Sequence, residues 1–239
     1  MGPLILTLLA MTANADTPAY EPTENYTIRE IEQFKVYINS RLLNDEDLSD
    51  IRDQTLRLLE VKLYDINRVV PEAALVDLRT IPIWVEAESE SFPCMCYHVS
   101  ADWLRENGHN PEKAGAVELS NPATFIDWTF EQPYMVLHEL AHGYHHQFLK
   151  YDNESVREGY RLAKESGTYD AIQNWAGATA RHYAMNNDTE YFSELTEAYF
   201  GTNDFYPFVR AELKEHDPWM YERMSELWRG KAKEVADRE

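Results

Sequence analysis

The chain is poor in basic residues, in cysteine and in long apolar runs, and each shortage removes a class of protein. Lys and Arg number 22 against 42 Asp and Glu, for a formal net charge of −20. Nucleic-acid phosphates are held by clustered Lys and Arg, so no nucleic-acid partner is expected. Only two cysteines occur, in Pro93-Cys94-Met95-Cys96. That spacing is too tight for an easy disulfide and offers too few soft ligands for a thiolate metal site, so buried free thiols are expected. No apolar run is long enough to span a bilayer. The longest, PLILTLLAM at 3–11, is followed by the small-x-small pattern Ala13-Asn14-Ala15 before Asp16. Residues 1–15 therefore read as a secretory signal peptide, although its basic n-region is missing. Asn25, Asn153 and Asn187 stand in sequons, which matter only in a host that glycosylates.

What is present suffices for one compact domain. The 239 residues are 44% hydrophobic, with 9 Gly and 11 Pro and no repeat or flexible linker. Ile28, Ile31, Phe34, Ile38 and Leu42 fall at helical spacing and predict a helix over 27–44. Leu48, Ile51, Leu56, Leu59, Leu63 and Ile66 predict a second over 47–69, ended by Pro71, with the acidic run 44–50 as the turn between them. These two form an N-terminal helical part, 27–70, ahead of a part spanning 78–239. The β-branched and aromatic run 81–85 (IPIWV) predicts a strand, as do 96–99 and 116–120. A helical turn at 101–107 ends at Gly108, and a helix of about 17 residues should open at Pro133. Another helix is expected at 154–165, then irregular or β structure at 169–186. A helix at 188–200 has Asn187 as N-cap, Glu190 three residues on and Gly201 as its stop, and two more helices close the chain. The order of helices, small sheet and helices is α+β.

Residues 136–146, VLHELAHGYHH, carry four histidines and one glutamate. His138-Glu139-Leu140-Ala141-His142 is HExxH on a helix, and residues four apart lie about 6 Å apart along one face, so both imidazoles can meet one ion. Glu139, between them, is placed to act as general base on a metal-activated water. The metzincin pattern is excluded, because position 145 is His and position 148 is Phe. A third histidine on the same straight helix cannot reach an ion bound by the first two, so His145 and His146 should support the site or face solvent. A di-iron site needs a second ExxH, and the only other one, Glu106 to His109, is broken by Asn107-Gly108. The third ligand should come from 187–201, where Glu190, Glu194 and Glu197 lie among Tyr191, Phe192, Leu195, Ala198 and Tyr199. Carboxylates on so apolar a helix need partners. One would bind the ion and another would hydrogen-bond the free nitrogen of a ligating histidine.

HELAH, followed about fifty residues later by Tyr183 and then Glu190 and Glu194 in a YxxxxxxExxxE pattern, resembles the lethal factor-like metallopeptidases. That family includes the catalytic domain of anthrax lethal factor and the Pro-Pro endopeptidases. The likeness covers roughly 116–200, and the GYHH tail is not part of it. It implies a zincin-like fold, one zinc ion per chain held by His138, His142 and Glu190, Glu139 as base, Tyr183 as assisting phenol, and Glu194 as the carboxylate behind a ligating histidine. It further implies an extended peptide or protein substrate, for which the strand at 116–120, through Val117 and Glu118, offers a pairing edge. The expected activity is that of a secreted zinc endopeptidase. Two rival readings stay open: a secreted binding protein whose structural zinc is closed by Glu194 or His145, and a degenerate peptidase kept as an interaction module.

Overall fold

A computed structural model describes residues 20–89, 92 and 94–230; the signal-peptide stretch 1–15 lies outside them. The first predicted helix is instead a hairpin. β1 (Tyr26–Ile31) and β2 (Phe34–Asn39) pair antiparallel, with Ile31 opposite Phe34. Phe34, Val36 and Ile38 are fully buried at alternate positions, whereas Ile28 is 54% exposed. The buried set thus follows the strand period of two, which shares positions 34 and 38 with a helical pattern. Glu32 and Gln33 make the turn at positive φ without glycine or asparagine, so the usual hairpin signature is missing.

A short helix α1 (Ser40–Asn44) leads to α2 (Ser49–Val69), which buries Leu59, Leu63 and Ile66. Pro71 ends that helix and caps a further one, α3 (Glu72–Leu78). β3 (Ile83–Val85), β4 (Met95–Tyr97), α4 (Ala101–Glu106) and β5 (Val117–Leu119) follow as short elements. Pro122 opens α5 (Pro122–Trp128), which the apolar periodicity does not announce. α6 (Met135–Tyr144) begins two residues after Pro133 and runs into a π-helical segment, His145–Leu149. α7 (Glu154–Ser166), the strand pair β6 (Ile172–Gln173) and β7 (Thr179–Ala180), α8 (Asp188–Phe200), α9 (Arg210–His216) and α10 (Pro218–Leu227) complete the chain.

The protein is mixed α+β, with a small mixed sheet in the order β1-β2-β3-β5-β4. β2, β3 and β5 run parallel, and β1 and β4 are the antiparallel edges. The hairpin therefore belongs to the same sheet as the later strands and is no helical annex. One apolar cluster reaches from Phe34 to Trp228 and includes both sheet and helices. β5 has neighbours on both sides, so Val117 and Glu118 present no free edge and the expected pairing site is corrected; the edge strand on that side of the sheet is β4. Among the described residues no helix is long and apolar enough to cross a membrane.

Trp228 locks α6 to α8. Its indole stacks on Tyr144 with centroids 4.4 Å apart and on Phe192 at 5.7 Å. Its Nε1–H donates to Thr196 Oγ1 at 3.3 Å, and the Tyr144 hydroxyl donates to the Leu227 carbonyl at 3.0 Å. On the other side of α6, Gly143 lets the helix close onto the sheet. A Cβ there would stand 2.8 Å from Ile81 Cδ1 and 3.0 Å from Tyr97 Cε2.

Candidate metal centre

α6 and α8 bring three ligand atoms together. His138 Nε2 lies 3.1 Å from His142 Nε2 and 3.1 Å from Glu190 Oε2, and His142 Nε2 lies 3.2 Å from the same oxygen. Each side chain is held by ordinary helix chemistry. The four-residue spacing puts both imidazoles on one face of α6. Asn187 caps α8 by accepting from the Glu190 backbone N–H at 2.8 Å, which fixes Glu190 in the first turn. Ligands about 2.0–2.1 Å from a tetrahedral zinc stand about 3.3 Å from each other, so this triangle fits such an ion.

Glu197 occupies the far side of His138, where Oε1 accepts from Nδ1 at 2.8 Å. Glu194 Oε1 is 3.6 Å from that nitrogen. The carboxylate that orients the ring is thus Glu197, not the Glu194 expected from the sequence. Both glutamates stand behind Nδ1, so Glu194 does not close the shell as a fourth ligand. Burial disfavours a charge on His138, but its hydrogen bonds to Glu190 and Glu197 raise its pKa well above the ordinary histidine value. Burial likewise opposes ionisation of Glu190, and the two histidines outweigh it and push its pKa far down. Burial raises Glu197 to about 7, and Glu194, buried beside Glu197, is raised well above its usual range.

Two cavities meet at His138, Glu139 and Tyr183. One, of about 310 Å³, also borders His142, Glu190, Tyr151, Thr189 and the β4 residues Met95 to Tyr97. The other, of about 220 Å³, runs behind His138 past Glu194, Glu197 and Asp204. Glu139 is half-buried between them. Tyr183 sits in a one-turn 3₁₀ helix (Tyr183–Met185) just before α8 and is 48% exposed. Burial, reinforced by Glu190, raises its phenol pKa, so it carries its proton.

The remaining histidines separate clearly. His145 is fully buried against Tyr151 and Phe192, and neither ring nitrogen has a hydrogen-bond partner among the described residues. Burial lowers its pKa to about 3. It is a core residue, not a supporting, exposed or ligating one, because the π turn carries it inward. His146 Nδ1 meets the Tyr97 hydroxyl at 2.8 Å at the cleft wall.

Cys94 is buried and Cys96 half-buried, both as free thiols. Cys96 belongs to a second potential ligand group with His98 and Glu118. There His98 Nε2 and Glu118 Oε2 are 2.5 Å apart, Lys113 Nζ bonds Glu118 Oε1 at 2.9 Å and Glu86 Oε1 at 2.7 Å, and the Tyr26 hydroxyl donates to Glu86 at 2.7 Å. Glu118 is thus committed to a buried ion-pair chain instead of a substrate. Among known proteins, no family model matches the chain, and no curated protein or solved structure matches it significantly.

Proposed function

We propose that the chain is a secreted zinc metallopeptidase of zincin type, resembling the lethal factor-like enzymes, with His138, His142 and Glu190 as the zinc ligands. The observation that carries this reading is the triangle of three ligand atoms beside a cleft that Glu139 and Tyr183 also line. Zinc bound there would serve as a Lewis acid that acidifies water and polarises the scissile carbonyl. Glu139 takes the proton from the attacking water and returns it to the leaving amine. The protonated Tyr183 donates a hydrogen bond to the carbonyl oxygen as it gains negative charge. Glu197, through its bond to Nδ1, keeps the His138 Nε2 lone pair free for the ion. An extended peptide fits along β4, the outer strand at the cleft, where strand addition leaves backbone groups paired.

The test is paired measurement of bound zinc and peptide-library cleavage. Glu139→Ala should retain zinc and lose cleavage by a factor on the order of 10²–10⁴. Glu190→Ala should lose most of both. Undiminished cleavage by Glu139→Ala sinks the mechanism, and normal zinc content in Glu190→Ala sinks the ligand set.

A further inference from the structure

The chain that leaves the HExxH helix is unusual in its backbone, and the proposed mechanism makes no use of it. α6 widens into the π segment His145–Leu149, a rare geometry that recurs at functional sites, and Lys150 follows at φ 71°, ψ 145°. A residue with a side chain is strained at that pair of angles, and such strain persists only where the surroundings enforce it. The next residue is Tyr151. Its carbonyl accepts from Arg157 Nε at 3.1 Å, and the Asn153 N–H donates to the Lys150 carbonyl at 3.0 Å, so the backbone here is pinned. The ring is bracketed as well. His145, within the core, meets it edge-on with centroids 5.0 Å apart, and His146 stacks on it at 5.0 Å. His146 is tied in turn to β4 through the Tyr97 hydroxyl, which also accepts from Gln147 Nε2 at 3.0 Å. The half-buried Tyr151 lines the 310 Å³ cleft together with the three proposed ligands. Among the described residues no hydrogen bond reaches its hydroxyl, and that oxygen is not sealed from solvent. A phenol is protonated at neutral pH, and burial, with Tyr97, Glu190, Asp188 and Glu139 nearby, raises its pKa further.

We propose that Tyr151 is a substrate-binding residue, whose phenol donates a hydrogen bond to a backbone carbonyl of the extended peptide other than the one being cut. The proposal rests on the peptidase reading of the neighbouring site. A peptide paired with β4 turns only half of its backbone groups toward that strand. The carbonyls that point away need donors elsewhere in the cleft, because a carbonyl left unpaired on leaving water is costly. Three hydroxyls line the cleft outside β4, those of Tyr151, Tyr183 and Thr189. Thr189 spends its proton on Asn187 Oδ1 at 2.6 Å. Tyr183 borders both cavities that meet at His138 and serves the scissile carbonyl, whereas Tyr151 borders only the front cleft, which it shares with the β4 residues. Tyr151 is therefore the free donor for a neighbouring peptide group. His146 is its positioning residue, since it holds the ring at a fixed place relative to β4.

Two measurements on the zinc-loaded protein test this. Tyr151→Phe keeps the ring and its bracket and removes only the hydroxyl. With a peptide long enough to span the cleft, its KM should rise about tenfold with a far smaller change in kcat, as expected when binding is lost equally before and during the reaction. Thiocarbonyls, which are weaker acceptors, are then placed in that peptide one at a time. At one position the change should weaken binding to the wild type several-fold and leave Tyr151→Phe unaffected. His146→Ala should also raise KM, and should add little to Tyr151→Phe; additive losses would remove His146 from the arrangement. An unchanged KM in Tyr151→Phe, or thiocarbonyls that cost both proteins equally at every position, overturns the proposal. In the second measurement, calorimetry follows a peptide hydroxamate, which is not cut, and acetohydroxamate, which has no peptide chain. Tyr151→Phe should bind the first about tenfold more weakly than the wild type and the second equally well. That result supports Tyr151 even if no peptide is cleaved, in which case the peptidase reading alone fails. Equal binding of the peptide hydroxamate by both proteins, or none by the wild type, overturns the assignment. So does an equally large loss of acetohydroxamate binding, since the phenol would then act at the ion and not on the peptide.

Discussion

The bond from His138 Nδ1 to Glu197 decides which ring nitrogen is left for the proposed ion, and it sets two expectations at the residue scale. Glu197→Gln keeps the shape but weakens the acceptor, so zinc affinity should fall about 10–100-fold, measured by chelator competition. Glu194→Gln, at 3.6 Å from the same nitrogen, should cost less. The hydrogen bonds from Glu190 and Glu197 raise the His138 pKa well above the ordinary histidine value, and a zinc ion bound as proposed would have to displace that proton. Zinc binding near pH 7 should therefore release protons and weaken as pH falls, which calorimetry in buffers of different ionisation enthalpy reads directly. Tyr183→Phe should keep zinc and lower kcat by a factor of about 10²–10³, the usual effect of removing one donor to a developing oxyanion. An unchanged kcat would remove Tyr183 from the mechanism.

Among the elements, α6 holds the site because it is pressed between the sheet and α8. Gly143 follows His142 directly, and its missing Cβ is what lets α6 approach Ile81 and Tyr97. Gly143→Ala should destabilise the fold by about 1–3 kcal/mol in denaturant titration, because Ile81 is fully buried and the Tyr97 ring is held through its hydroxyl by His146 and Gln147. The shift should also loosen the His138–His142 pair and reduce zinc affinity. Both ligand-bearing helices are readable from sequence. HExxH has the spacing of one helix face, and Asn187, Glu190 and Gly201 mark start and stop. The hairpin is not readable in the same way. Ile28, Ile31, Phe34, Ile38 and Leu42 satisfy a helical period, and the turn at Glu32-Gln33 lacks glycine or asparagine. Only pairing of β2 with β3 favours the strand period, and that is a long-range contact. The choice of Glu197 over Glu194 is likewise set by how α8 crosses α6.

For the molecule as a whole, acid should be the sensitive direction. Burial holds His145 and His182 neutral, each with its pKa lowered to about 3. A histidine lowered in the folded state leaves the unfolded state binding more protons between about pH 6.5 and 3, so stability is lost as pH falls through that window. The slope is at most about 1.4 kcal/mol per pH unit for each residue. His145→Phe should flatten the acid limb of the stability curve, and an unchanged limb in urea titrations from pH 7 to 4 would count against this. On the proposed zinc reading, removal of zinc should lower Tm, because the ion would bind the folded site and not the dispersed ligands. On the proposed peptidase reading, the net charge of −20 supplies long-range attraction for basic peptides, whose kcat/KM should fall as salt is raised.

The sequence by itself determined the two helices that bear the proposed ligand set, the α+β class and the short strands, since these follow from local spacing, caps and turn chemistry. Tertiary structure decided the rest. It made the amino-terminal segment a hairpin, enclosed β5 so that β4 became the edge strand on that side of the sheet, turned His145 into the core, and set Glu197 behind His138. It also gathered Glu194, Glu197 and Asp204 around one cavity. Each of these outcomes depends on which elements pack together across long stretches of chain, and local periodicity carries no record of that.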